Sequence, residues 1–204
     1  MLLNETRYNR LNTLLDYRQA NLTVVLENIH DPQNISAVMR TADAVGIHEI
    51  FVINTTEATY KVWGKKSSAS AYKWVKVHLF KTVAEAMQVV TQNYPTIYGT
   101  ALHQQSESLY TTNLTLPTAI TFGNEHSGLS PEIQTYCNGF ITIPMVGMVQ
   151  SLNISVACSV CLYEAFRQKQ LAGHYQTPQL PNQLREAYLT DWSLNKKERF
   201  RISK

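Results

Sequence analysis

Six short runs rich in β-branched and aromatic residues recur along the chain, at 22–26, 49–53, 75–80, 96–101, 119–122 and 140–143. Between several of them the apolar positions take a helical period instead. In NISAVMRTADAVG, Ile35, Val38, Ala42 and Val45 fall three and four apart, with Asn34 placed as N-cap and Gly46 as the stop. Residues 83–90 and 152–168 read the same way, and residues 5–18 form a further helix ahead of the first strand. Strands alternating with helices predict an α/β fold with a largely parallel sheet of six strands flanked by helices, because a parallel pair needs a crossover of that length. No repeat interrupts the pattern, and only TPQLPNQ, around Thr177, has the composition of a boundary, so the compact core is expected to end there.

At 204 residues and 44% hydrophobic, the chain can bury one full core but not two ordinary ones. No apolar run approaches the roughly 18 residues of a membrane span, and the N-terminal MLLNETRYNR lacks a signal-peptide core. The expectation is a soluble cytoplasmic protein with no membrane partner. Three cysteines make an odd count without framework spacing. Cys158 and Cys161 form a CxxC inside the apolar run ISVACSVCLYEAF, with no second ligand pair, and read as buried small residues on a helix rather than a metal site.

Charge is uneven. Between Ala58 and Lys81 stand Lys61, Lys65, Lys66, Lys73, Lys76 and Lys81 with no acid, a local +6 in a chain of net +3. Tyr60, Trp63, Tyr72 and Trp74 are interleaved with them, the combination that holds phosphate and stacks on bases. A solvated loop whose lysines serve solubility reads equally well from this segment alone. The C-terminus repeats the basic theme with Lys196, Lys197, Arg199, Arg201 and Lys204.

The glycines include no GxGxxG and no GxxxxGK[ST], which removes most of the case for a dinucleotide fold or a P-loop; GxSxG and HExxH are absent too. Three clusters remain. The first is the helix above, on which Arg40 falls off the apolar stripe and is free to face a site or simply solvent. The second is TAITFGNEHSGLSPE, an apolar strand running into a glycine-bracketed polar loop with Glu125, where ligands of open α/β sheets bind. Any strand-to-helix turn capped by Ser130 and started by Pro131 has a similar look. The third, ITIPMVGMVQSLNISVA, is an apolar loop leading to a polar helix start, suited to wrapping an adenine-like ring or to burial in an interface.

Together NISAVMRTADAVG, GNEHSG and IPMVGMVQSLNISVA resemble the three ordered motifs of the SPOUT-class (SpoU/TrmH) RNA ribose 2′-O-methyltransferases. The similarity is greatest to the branch acting on guanosine 18 of the tRNA D-loop, and it spans roughly residues 5–175. The resemblance implies a C-terminal deep trefoil knot, a homodimer, tRNA as substrate and S-adenosylmethionine as cofactor, with no metal. It assigns cofactor binding to Thr100, Ala101, Leu102, Gly123, Ile143, Met145, Ser151 and Leu152, and catalysis to Arg40, Asn34, Glu125, Ser151 and Asn153. The tRNA surface would use Arg7, Arg10 and Arg18 with Lys61, Lys65 and Lys66. The chain then divides into a basic N-terminal helix (1–20), the knotted methyltransferase unit (21–175) and a basic helical tail (176–204). A sibling enzyme acting on another nucleoside would share all three clusters. A non-catalytic RNA-binding module would be expected to lack Arg40, Asn153 or the apolar loop, all of which are present.

Overall fold

The computed structural model describes residues 4–56, 70–101 and 106–194. In chain order the elements are α1 (Glu5–Asp16), β1 (Leu22–Glu27), α2 (Pro32–Ala44), β2 (Glu49–Ile53), a 3-10 turn (Ala71–Lys73), β3 (Lys76–Phe80), α3 (Val83–Asn93) and β4 (Thr96–Thr100). There follow β5 (Glu107–Ser108), β6 (Thr118–Phe122), α4 (Pro131–Gln134), β7 (Gly139–Thr142), α5 (Ile154–Leu171) and α6 (Asn182–Ser193). The strands form one sheet in the order β3-β2-β1-β6-β4-β7-β5, and every neighbouring pair is parallel.

The six expected strands are all present, and the sheet gains a seventh. Strand β5 is two residues long and pairs only with the end of β7, so it has no apolar alternation by which to announce itself. Strand β1 is buried at every position because helices cover both faces of the sheet. On one face Val24 and Leu26 pack with Ile35 and Val38 of α2 and with Cys158 and Leu162 of α5. On the other, Val25 and Phe51 meet Met87 and Val90 of α3 and Ile133 of α4. Both CxxC thiols are buried, and burial pushes the Cys161 thiol up to about 12, as small core residues require.

Asn34 does not cap α2. Asp31 does so, accepting from the Gln33 amide at 2.8 Å, with Pro32 in the first turn where its missing N–H costs nothing. Asn34 therefore lies inside the first turn with its side chain free of the helix end. Gly46 ends the helix as expected, at φ +84°, where a Cβ would come within 2.5 Å of the Tyr17 carbonyl oxygen.

Beyond Thr177 the chain forms a separate apolar cluster with α1. Leu180, Tyr188 and Trp192 are buried against Leu11 and Leu15 of α1. Arg185 of α6 donates to Asn12 at 2.8 Å and to Asp16 at 2.6 Å. This helix pair also corrects the expected RNA surface. Helix α1 ends at Asp16, and Arg18 beyond it is 2% exposed, ion-paired with Asp43 and covered by the Trp192 ring at 5.3 Å. No phosphate reaches a guanidinium so enclosed, and Arg18 leaves the set of RNA-binding residues. Trp74 is half-buried, its ring meeting that of Trp192 edge to face at 5.2 Å, so part of it is taken up in the α1–α6 cluster. Arg7 and Arg10 are exposed on α1. Lys61, Lys65, Lys66, Tyr60, Trp63, Leu102 and the basic residues beyond 194 lie outside the described residues.

Docking of α6 carries a pH dependence. His48, 3% exposed just before β2, is hydrogen-bonded through Nδ1 to the Tyr188 hydroxyl at 2.9 Å. Burial holds its pKa down to about 4; neighbouring Glu49 opposes the shift and Arg18 adds to it. The unfolded chain protonates near 6.5 and the folded one does not, so the unfolded state binds the extra proton as pH falls and stability drops between those values. Between pH 7.5 and pH 4.5 His48 alone is expected to remove roughly 2.5 kcal/mol. Denaturant titrations should show this loss, and a His48→Gln protein should show a shallower one.

Candidate active site

A cavity of about 560 Å³ opens at the carboxyl ends of β4, β6 and β7, where an open parallel sheet binds its ligands, and its volume suits a cofactor-sized molecule. Thr100 ends β4 there and Ala101 follows it, Gly123 follows β6, and Ile143 and Met145 follow β7. Ser151, Leu152 and Asn153 close the cavity from the start of α5. Of the expected cofactor residues, Thr100, Ala101, Gly123, Ile143, Met145, Ser151 and Leu152 thus line one space. Its walls are apolar at Phe122, Leu129, Ile141, Ile154 and Ala157, and its rim is polar at Asn124, Glu125, His126 and Ser127. An apolar slot with convergent polar groups fits a nucleoside carrying a charged tail. The Thr100 hydroxyl is already committed, donating to the Thr121 carbonyl at 2.9 Å.

Residues 123–130 owe their shape to their sequence. Asn124 and Gly128 pair backbone to backbone at 3.0 and 2.9 Å, while the Asn124 side-chain oxygen accepts from the His126 and Ser127 amides. The Asn124 amide group donates to the Asn28 carbonyl at 2.9 Å, and the buried Glu27 carboxylate accepts from the Ser130 amide at 2.8 Å. The end of β1 thereby holds the loop from below. Neither Glu27 nor Asn124 was singled out from the sequence, although an Asn opening a glycine-bracketed turn is a recognisable signal for the second.

Three of the expected catalytic residues form a directed chain of hydrogen bonds. Asn153 caps α5, its Oδ1 accepting from the Ser155 amide at 2.9 Å and the Val156 amide at 3.4 Å. Its Nδ2 donates to Asn34 Oδ1 at 3.2 Å, and Asn34 Nδ2 donates to Glu125 Oε1 at 2.9 Å. Every link has one sense, because helix amides fix Asn153 as acceptor at one end and a carboxylate fixes Asn34 as donor at the other. The chain joins α5, α2 and the polar loop, the three sequence clusters, at the rim of the cavity. Ser151 lines the cavity beside it. Arg40 stands apart from the lining, on the exposed surface of α2, with no hydrogen bond or ion pair among the described residues.

These features define an α/β protein that takes a small-molecule cofactor at the carboxyl edge of a parallel sheet, with a polar relay at the mouth. The chain belongs to the SpoU rRNA Methylase family, whose sequence model matches residues 21–163. It is 41% identical over 188 residues to the tRNA (guanosine(18)-2'-O)-methyltransferase of Thermus thermophilus, covering 92% of this chain and 96% of that one. The crystal structure of the Aquifex aeolicus TrmH/SpoU tRNA modifying enzyme superposes with a TM-score of 0.84 at 34% identity, over 92% of this chain and 95% of that one. The SpoU methyltransferase AviRb of Streptomyces viridochromogenes, solved in complex with the cofactor AdoMet, matches with a TM-score of 0.67 at 30% identity, over 75% of this chain and 59% of that one. Among the described residues no helix is long and apolar enough to cross a membrane, and no cluster of His, Cys, Asp or Glu is placed to hold a metal.

Proposed function

We propose that this protein is a cytoplasmic enzyme that transfers the methyl group of S-adenosylmethionine to the ribose 2′-hydroxyl of guanosine 18 in the D-loop of tRNA. The observation that carries the reading is the Asn153–Asn34–Glu125 relay at the mouth of a cofactor-sized cavity, in a chain that matches a tRNA guanosine-18 methyltransferase over 96% of that enzyme's length. The cavity walls fit an adenine ring, and Thr100, Ala101, Gly123, Ile143, Met145, Ser151 and Leu152 would hold the cofactor; Leu102 is assigned to it by the family resemblance alone. When bound, the cofactor supplies an electrophilic methyl group on a sulfonium.

The acceptor must be oriented and must lose a proton as its oxygen forms the new bond to carbon. In this reading Asn34, Glu125, Ser151 and Asn153 orient the ribose at the cavity mouth. Arg40 binds an RNA phosphate and stabilises the developing alkoxide. A guanidinium with a pKa above about 12 is a poor proton acceptor, so Arg40 is assigned to charge and position. Residues 1–20 and 176–204 form the RNA-facing extension, with Arg7, Arg10, Lys61, Lys65 and Lys66 contributing charge, and residues 21–175 form the catalytic unit with its C-terminal part threaded as a knot. A second copy of the chain covers the exposed apolar Val146, Met148 and Val149 of the loop before α5 and Val156 and Tyr163 on α5 itself. Sedimentation of the pure protein reads that pairing directly.

The test is incubation of the protein with labelled S-adenosylmethionine and tRNA transcripts, followed by nucleoside mapping. Label is expected in 2′-O-methylguanosine at position 18 and absent when that nucleotide is 2′-deoxy. Transfer to a base atom, to another position, or to nothing overturns the assignment.

A further inference from the structure

Arg18 raises a question once it is removed from the RNA surface: a fully buried guanidinium is costly unless something requires it. Its Nη2 pairs with Asp43 Oδ1, and its Nη1 donates to the Ile47 carbonyl at 2.9 Å. Asp43 sits in the last turn of α2, where a carboxylate opposes the helix dipole and no basic residue of the helix compensates it. It also lies three residues after Arg40, and residues three apart on a helix are surface neighbours within reach of an ion pair. Asp43, a third exposed on its side chain, would be the natural partner of Arg40. Arg40 nevertheless has no ion pair among the described residues, and the carboxylate next to it is held by Arg18.

We infer that Arg18 is a positioning residue that keeps Arg40 available to RNA by capturing Asp43. The Trp192 ring, 5.3 Å from the Arg18 guanidinium, covers the cationic side of the pair, while Asp43 keeps a third of its side chain in solvent. The inference rests on the catalytic reading of Arg40 given above. Without Arg18, an uncompensated carboxylate stands beside Arg40, competing with the incoming phosphate and repelling it.

The test is a double-mutant cycle with kcat, KM for tRNA and Tm measured on each protein. Arg18→Met is expected to lower kcat/KM by about tenfold, the size of a coupling between neighbouring charges, and also to lower Tm. Asp43→Asn is expected to keep kcat/KM within about threefold of the unchanged protein. The Arg18→Met/Asp43→Asn protein should recover turnover to the Asp43→Asn level while its Tm stays low, a separation that a purely structural Arg18 would not produce. Arg18→Gln, a neutral side chain that likewise removes the charge facing Asp43, carries the same cycle where Arg18→Met does not fold. A double variant as slow as the single Arg18 variant overturns the inference. Arg40→Ala, assayed alongside, separates the two claims. If it keeps turnover, the catalytic reading of Arg40 fails and takes this inference with it; if it is inactive and rescue is absent, only the inference fails.

Discussion

Arg40→Ala is expected to lower methyl transfer by about 10² to 10³-fold, the usual cost of removing a donor aimed at developing negative charge. The protein itself should be almost undisturbed. Arg40 is exposed, bonded to nothing among the described residues and absent from the cavity lining. Alanine is at least as good a helix former as arginine, so the change in stability should stay within about 0.5 kcal/mol. Calorimetry should therefore find unchanged affinity for S-adenosylmethionine beside a collapsed kcat. Arg40→Lys keeps the charge but loses the planar fork that grips two oxygens, and it should fall between the two. An Arg40→Ala enzyme turning over within about threefold of the original would remove Arg40 from the mechanism, since no charge-stabilising role is compatible with so small an effect.

Much of this architecture is legible in the residues because the forces behind it are local and periodic. Parallel strands buried on both faces leave apolar runs, and α2 leaves its stripe at Ile35, Val38 and Ala42. The strand-to-loop junction at Phe122 and Gly123 is equally plain, and with it the place of the cavity. What was hidden is long-range. Arg18 is of a type common on surfaces and is buried by partners distant in sequence: Asp43, the Ile47 carbonyl and the Trp192 ring. Asn34 looks like a helix cap, and the choice between it and Asp31 is settled by Pro32 and by partners that lie 91 and 119 residues away. Lys169 is fully buried, its ammonium donating to the Thr115 and Leu116 carbonyls at 2.9 and 3.1 Å, which no pattern around it reveals. The cofactor follows from family resemblance and not from any periodicity, and the expectation of a knot rests on the same ground.

Gly123→Ala is expected to abolish cofactor binding, with Kd raised by more than about 100-fold, by a route unlike that of Arg40. A Cβ at Gly123 would stand 2.2 Å from the Gly128 carbonyl carbon, 2.3 Å from its oxygen and 2.3 Å from the Leu129 nitrogen. All three are backbone atoms, so no rotamer change relieves the clash. The loop must open, and the paired hydrogen bonds between Asn124 and Gly128 are the ones in the way. Glu125 and its bond to Asn34 would move with them, so turnover falls together with binding. Gly147, in the apolar loop, has open space around its own Cβ position and no positive φ. Gly147→Ala should accordingly bind within a few-fold of normal, showing that it is the close approach and not glycine as such that matters. Hydrogen exchange at the Asn124 and Gly128 amides reads the mechanism directly: their protection should vanish in Gly123→Ala along with the calorimetric signal. Normal binding in that variant would place the cofactor somewhere other than this cavity.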